Sequence, residues 1–584
     1  MPVALLGPVL RHVDATSATV WVEVDEPGPV HVDVHLPDGA VRTAASPTLT
    51  LHGHHFALVV VEDLPTGESL PYSVRHGETA VWPPAAGTWA WPESRIRTPV
   101  AGAEVRLAFG SCRRAGDDGE ESTRLVGVDA LSALAHRLRD DALAPHPDLL
   151  LFAGDQVYAD DPNPGIVDRL RERHAGRADG DPEVREEIGD FEEYTWLYRE
   201  TWGPDPVRWL LSTVPTCMLL DDHDLRDDWN TSDVWRAEVS RRPWWRDRVT
   251  GAFSSYWIYQ HLGNLSPAEL AQDRLLAVLR DVEDDAERDE VIDEFARTAD
   301  ADPTTARWSF TRELGSTRLV AIDSRCSRRL SPGERRMTDA AEWEWIRERA
   351  LAPGARHLLL ATTLPAFLLH GIHHAETFDA AVADGRFGAR AAAWGERLRQ
   401  AADLEHWAAF HPSFVDFVTL LGQVGRAPEP PSSVLVLSGD VHCSYTARVD
   451  VPGVDPHRTA VHQLVMSPFR NPLERGMQIA NRVLDRGPVR ALVRGLALLA
   501  GVREADVAWE VEHGPWFDNG VMTVVLGADG TAGVEVEHAG RCQGVPRLRR
   551  TLTRTLTRAT TTSAPSTLRG ASGPSVTTAL RTGV

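Results

Sequence analysis

The sequence predicts a mixed α/β protein, with a small β-sandwich over residues 1–100 and a layered α/β domain over residues 101–545. Three observations predict it. Apolar and polar residues alternate through the first hundred positions. Beyond them, apolar strand-like runs take turns with amphipathic helical ones. A chain of 584 residues also exceeds what one ordinary core can organise.

In the first module Val20, Val22 and Val24 alternate with Trp21, Glu23 and Asp25, and the pattern returns at Val30, Val32 and Val34 after the turn signal EPGP. Helix-period segments are absent there, which favours a sandwich. The Pro-rich stretch Trp82 to Pro99 reads as a linker. In the second domain strands are expected at Val105–Phe109, Leu149–Ala153, Cys217–Leu220, Arg318–Ile322, His357–Ala361 and Val434–Leu437. A helix is expected over Val128–Leu143. Ser266–Ala301 is an acidic helical insertion with Leu275, Leu276 and Leu279 on its apolar side. Asp228–Tyr259 holds Trp229, Trp235, Trp244, Trp245 and Trp257, read as packing with a pocket wall as the alternative. Val489–Val502 reads as a buried or partly buried helix, and residues 546–584, rich in Thr, Ser, Arg and Gly, as a disordered tail.

With 61 basic against 84 acidic residues the formal charge is −23, which disfavours nucleic acid and anionic membrane as partners. An anionic substrate then needs local positive charge, and bound metal ions supply it. Five scattered cysteines suggest no disulfide framework. Signal-peptide features and any membrane-spanning apolar run of about 20 residues are missing, so a cytoplasmic location is expected.

Four of the strands end in residues with metal-ligand chemistry. Arg106–Phe109 leads into Gly110, Ser111 and Cys112; Leu149–Ala153 into GDQVYADD; Met218–Leu220 into DDHDLRDD; and Val434–Leu437 into SGDVHCS. Ligands of open α/β sheets bind beyond the carboxyl ends of strands, so the four endings are expected to converge. Consecutive carboxylates repel one another unless a cation compensates. Carboxylates and a phenolate suit oxidised iron or calcium, thiolate and imidazole suit transition metals, and the mixture suggests two different metals.

At GDQVY, DDHD and GDVH the chain resembles the metallophosphoesterase (calcineurin-like) superfamily, and within it the PhoD-like alkaline phosphatase group, which shares Ser-Cys in the first block, Tyr in the second and Ser-Gly-Asp-Val-His in the fourth. The resemblance implies a four-layer α/β/β/α metallophosphatase core behind a fibronectin-like N-terminal sandwich. It implies Asp155 as a bridging carboxylate, Cys112 and Tyr158 as ligands of an iron (Fe3+), Asp222 as a ligand of a second metal, calcium (Ca2+) or another divalent ion, and Asp440 and His442 as further ligands. The implied reaction is phosphoester hydrolysis by a hydroxide bridging the metals, with His223 contacting phosphate or protonating the leaving oxygen. Arg113 and Arg114 are candidates for binding phosphate oxygens. Two features depart from the group: Asp227, Asp228, Trp229 and Asn230 stand where many members carry paired Asn, and Thr362 and Thr363 stand where the superfamily has a His. His370, His373 and His374 follow and read as loop residues. Monoester and diester substrates both remain open, as does a non-catalytic metal-binding scaffold. A serine nucleophile at Ser111 lacks a separate activating base.

Overall fold

The computed structural model describes all residues except 1, 86, 117, 176–184, 332, 474, 485 and 558–584. The first module consists of β1 (Ala4–Val13), β2 (Ala18–Val24), β3 (Pro29–His35), β4 (Val41–Pro47), β5 (Leu49–Leu51), β6 (His54–Val61), β7 (Ser69–His76), β8 (Thr79–Trp82) and β9 (Arg95–Arg97). One sheet runs β1-β2-β6-β5 and the other β4-β3-β7-β8, with β9 on β7. The alternating valines of β2 and β3 fill the space between them. Their neighbours Trp21 and Glu23 do not face water. Trp21 packs against Trp202 and Tyr259, while Glu23 accepts a hydrogen bond from Tyr259 (3.2 Å) and pairs with Arg199 (2.5 Å) and His54 (3.1 Å). The module is thus fixed to the second domain through its outer face. The Trp82–Pro99 stretch is less a linker than expected, because β9 pairs with β7 and Trp82 and Ile96 are buried in the module.

The second domain holds two sheets. The first is built from β10 (Val105–Gly110), β11 (Leu149–Ala153), β12 (Thr216–Leu219), β20 (Gly520–Leu526), β21 (Ala532–Cys542) and β22 (Val545–Thr555), in the order β12-β11-β10-β20-β21-β22. The second contains β13 (Phe310–Leu314), β14 (Thr317–Ile322), β15 (His357–Thr362), β16 (Ser433–Ser438), β17 (Ser444–Asp450), β18 (Ala460–Val465) and β19 (Ala508–Trp516), in the order β13-β14-β15-β16-β18-β17-β19. Leu107, Phe109 and Leu151 of one sheet meet Leu359, Leu435 and Leu464 of the other. The alternate residues face helices: Leu150 and Phe152 pack toward helix Ala130–Asp140, Leu360 and Val436 toward helix His411–Gly425. Burial on both faces explains the unbroken apolar runs LLLFA and SVLVLS. The result is the expected four-layer α/β/β/α core.

Three expectations need correction. Residues 546–555 belong to β22, an edge strand paired to β21, and its Leu548 and Leu552 are partly buried; the rest of the expected tail, from residue 558, lies outside the described residues. Helix Gly487–Leu499 is mostly exposed, with Leu492, Leu498 and Leu499 in solvent and Ala497 buried. The histidines at 370, 373 and 374 lie on helix His370–Ala383, not in a loop. Trp229, Trp245 and Trp257 are buried in the main cluster, which bears out packing. Among the described residues no helix is long and apolar enough to cross a membrane.

Candidate metal centre

The four strand endings do converge. After β10, β11, β12 and β16 the chain turns sharply, and Cys112 (φ 54°), Asp155 (φ 51°), Asp440 (φ 63°) and His442 (φ 47°) all adopt left-handed backbone. Such conformations are disfavoured for side-chain-bearing residues and cluster where a site dictates them. Two glycines make the turns fit. A Cβ on Gly154 would stand 2.6 Å from Asp221 Oδ2, and one on Gly439 would stand 2.2 Å from Ser111 Oγ, so both positions exclude a side chain. Asp222–Asp224 form one 3-10 turn. Asp224 locks it by accepting from Asp221 N (3.0 Å) and from Val157 N (3.2 Å), which ties the β12 ending to the β11 ending.

Two groups of potential ligand atoms result, each with its members within 4.8 Å of one another: Cys112, Asp155 and His442, and Asp155, Asp221, Asp222 and Asp440. Asp155 belongs to both. Tyr158 joins the first group, its hydroxyl 3.4 Å from Asp155 Oδ2 and accepting from Asn471 Nδ2 at 3.0 Å. His442 Nδ1 lies 2.8 Å from the Asn471 carbonyl, so that nitrogen carries the proton and Nε2 keeps its lone pair. Burial lowers the His442 pKa to about 4, which preserves the neutral form a metal needs.

The electrostatics fit a cation. Burial, reinforced by neighbouring carboxylates, raises Asp155 and Asp221 well above the ordinary range and Asp222 to about 7. Asp155 Oδ1 and Asp221 Oδ2 are buried without a hydrogen-bond partner. Burial likewise raises the Cys112 thiol and the Tyr158 phenol, with Asp155 adding to both shifts. Burial opposes charge on Asp440 too, but His406 and Arg325 outweigh it and hold that carboxyl below its usual range.

His223 sits at the edge of this cluster, partly exposed, with Nδ1 3.0 Å from Asp160 and its ring 4.6 Å from that of Tyr158. Burial would lower its pKa, yet Asp160 and the nearby carboxylates raise it well above the ordinary value. A cavity of about 160 Å³ opens beside it, lined by Asp222, His223 and His442 together with Leu368, Leu369 and Ile372. A larger cavity, of about 650 Å³, lies elsewhere, against Trp509, Arg490 and His370.

Arg113 does not reach the site. Its buried guanidinium is held by Asp129 (2.6 Å) and by the Thr201 carbonyl (2.7 Å), so it is structural and not a phosphate contact. Arg114 pairs with Asp161 at 2.8 Å and lies 5.8 Å from the Tyr158 ring centroid. Instead, a buried Arg325 enters the carboxylate group, bonded to Asp221 and Glu405, 3.1 Å from Asp222 and 3.5 Å from Asp440. His406 approaches Asp440 at 3.3 Å and is backed by Glu376 at 2.6 Å. Thr363, at the position of the missing superfamily His, accepts the Gly439 N–H through its carbonyl at 2.8 Å. Asp221 and Arg325 were within reach of strand-end reasoning, since β14 also ends in a polar run, Asp323–Ser324–Arg325.

Comparison with known proteins follows the same division. Residues 1–96 match the family model of a domain of unknown function (DUF7800). No curated relative matches the chain. A Bifidobacterium dentium β-glucuronidase structure with coumarin-3-O-glucuronide matches over 36% of this chain and 43% of that chain at 13% identity, with a TM-score of 0.13. The structure of PhoD, 12% identical, covers 96% of this chain and 93% of that chain with a TM-score of 0.57, which establishes a shared fold. Residues 129–283 match the PhoD-like phosphatase family model, and family match and fold together bear out the expected resemblance and indicate a phosphoesterase enzyme.

Proposed function

We propose that the protein is a metal-dependent phosphoester hydrolase acting at the cluster around Asp155. The observation that carries this reading is the membership of Asp155 in two ligand groups, which suits a carboxylate shared by two cations. Cys112, Tyr158, Asp155 and His442 would hold one ion. Both the thiol and the phenol must lose protons that burial retains, which favours a strong Lewis acid such as Fe3+. Asp155, Asp221, Asp222 and Asp440 form an all-oxygen set of the kind calcium takes. Bound cations would supply the charge that attracts a phosphoryl group and acidifies an attacking water.

The chain's own residues supply the rest. His223, kept protonated by Asp160, is placed to give a proton to the leaving alkoxide. Arg325 shares the negative charge of Asp221, Asp222 and Asp440 and fixes their orientation. The apolar wall of Leu368, Leu369 and Ile372 excludes water beside the reacting group and gives room for an organic ester substituent. Elemental analysis of the purified protein, paired with hydrolysis of an aryl phosphate monoester and its diester, tests this reading. Metal bound together with turnover of either ester is expected. Absence of turnover after reconstitution with iron and calcium would favour a scaffold.

A further inference from the structure

The rim of the cavity is made by helices that belong to neither sheet. Ile372 comes from helix His370–Ala383, Asp403 from the turn after helix Ala389–Ala401, and Met477 from helix Arg475–Leu484. Helix His370–Ala383 packs against both Ala389–Ala401 and Gly487–Leu499. Arg386, just beyond its end, lies against Gly501, where a Cβ would meet the guanidinium at 2.8 Å. These helices form one group around the mouth.

Their outward side chains are unusual in two ways. Phe387, Trp394, Ile479, Leu492, Leu498 and Leu499 are all more than half exposed, Trp394 at 70% and Leu499 at 78%. Scattered apolar side chains on a surface are ordinary, but this many on neighbouring helices and the turn between two of them are not. The charge is equally one-sided. Residues 475–503 contain six arginines (Arg475, Arg482, Arg486, Arg490, Arg494 and Arg503) against Asp485, and Glu504, next in the chain, pairs with Arg494 at 2.6 Å, which leaves a basic excess within a chain of net charge −23. Arg397 lies 5.7 Å from the Trp394 ring centroid, so cation and aromatic come together there as well.

Apolar side chains flanked by arginines match a partner that is apolar within and anionic at its surface. Self-association through this face would set arginines against arginines, which disfavours a second copy as the occupant. The overall negative charge is no obstacle, since screening over about 10 Å leaves the local arginines dominant at contact. We propose that this helical group docks the protein on an anionic lipid bilayer, with the cavity mouth at the headgroup layer. The proposal stands on surface chemistry and does not depend on the phosphoesterase reading.

Flotation of the full chain with vesicles tests it directly. Binding is expected to phosphatidylcholine–phosphatidylglycerol vesicles, not to phosphatidylcholine alone, and is expected to fall as salt rises. The quadruple variant F387S/W394S/L492S/L499S should keep its melting temperature and lose binding by at least about tenfold. R475Q/R486Q/R490Q should weaken binding by on the order of a hundredfold. Failure to float with anionic vesicles would overturn the proposal. So would equal flotation with neutral ones, unchanged binding by both variants, or a solution dimer that the apolar substitutions dissociate.

Discussion

Residues 266–301 carry twelve carboxylates against four arginines, and none of those carboxylates is buried, whereas the cluster at the strand ends gathers Asp155, Asp221, Asp222, Asp440 and Glu405 about a buried Arg325. On helices Arg274–Asp281 and Asp285–Ala301 water and salt screen the charges, and several acids have a partner of their own: Asp293 pairs with His52, Asp300 with Arg236, and Glu290 and Glu294 with Arg297. At the strand ends little water is left to do so, and the carboxylates resist ionising together until a cation joins them. One residue type therefore does two jobs. Its surroundings decide whether it is screened by solvent or stands ready to hold a cation.

The sharpest way to break this contrast is to remove the shared carboxylate. D155N should lower kcat/KM for an aryl phosphate by on the order of a thousandfold and strip bound metal, read by elemental analysis. Activity retained within about tenfold of the original would mean that Asp155 is not shared by two ions. H223N should follow, with a loss of about a hundredfold on an alkyl phosphate ester and much less on a nitrophenyl one, because a good leaving group needs no proton. Equal losses on both substrates would remove His223 from the acid role.

Glu23 is a buried acid of a third kind. It is as deeply buried as Asp221, yet Arg199, His54 and Tyr259 answer its charge, so E23A should cost stability and not turnover. A loss of about 3 kcal/mol in denaturant unfolding is expected, with kcat unchanged. The smallest effect belongs to the acidic insertion. Glu290 and Glu294 pair with Arg297 in solvent, and E290Q/E294Q should move stability by no more than about 0.5 kcal/mol. A larger change would show that exposed acids on these helices contribute to the fold.

The layered core was legible because its strands are apolar on both faces, and LLLFA and SVLVLS admit few other readings. Their polar endings then announced the cluster. Glu405 and His406 were not legible, since they enter from a loop ahead of Trp407–Phe410 with no periodic signal around them. Arg113 misled because adjacency to Cys112 says nothing about direction, and the left-handed turn at Cys112 leaves Arg113 bonded to Asp129. The strand β22 was hidden by its Thr and Arg content, which is what an exposed edge strand carries. Helix Gly487–Leu499 shows the converse failure, for apolar residues alone do not distinguish a core from a surface patch.

Left-handed backbone at Cys112, Asp155, Asp440 and His442 sets a bargain between endurance and chemistry. Glycine would relax each of these positions, by about 1 kcal/mol or more, and for Asp155 it would also remove a buried carboxyl whose Oδ1 has no hydrogen-bond partner. D155G is accordingly expected to melt above the unsubstituted protein when both are stripped of metal, and a lower melting temperature would reject that expectation. Selection for heat resistance alone would then erode this site first, and only a demand for turnover would keep it.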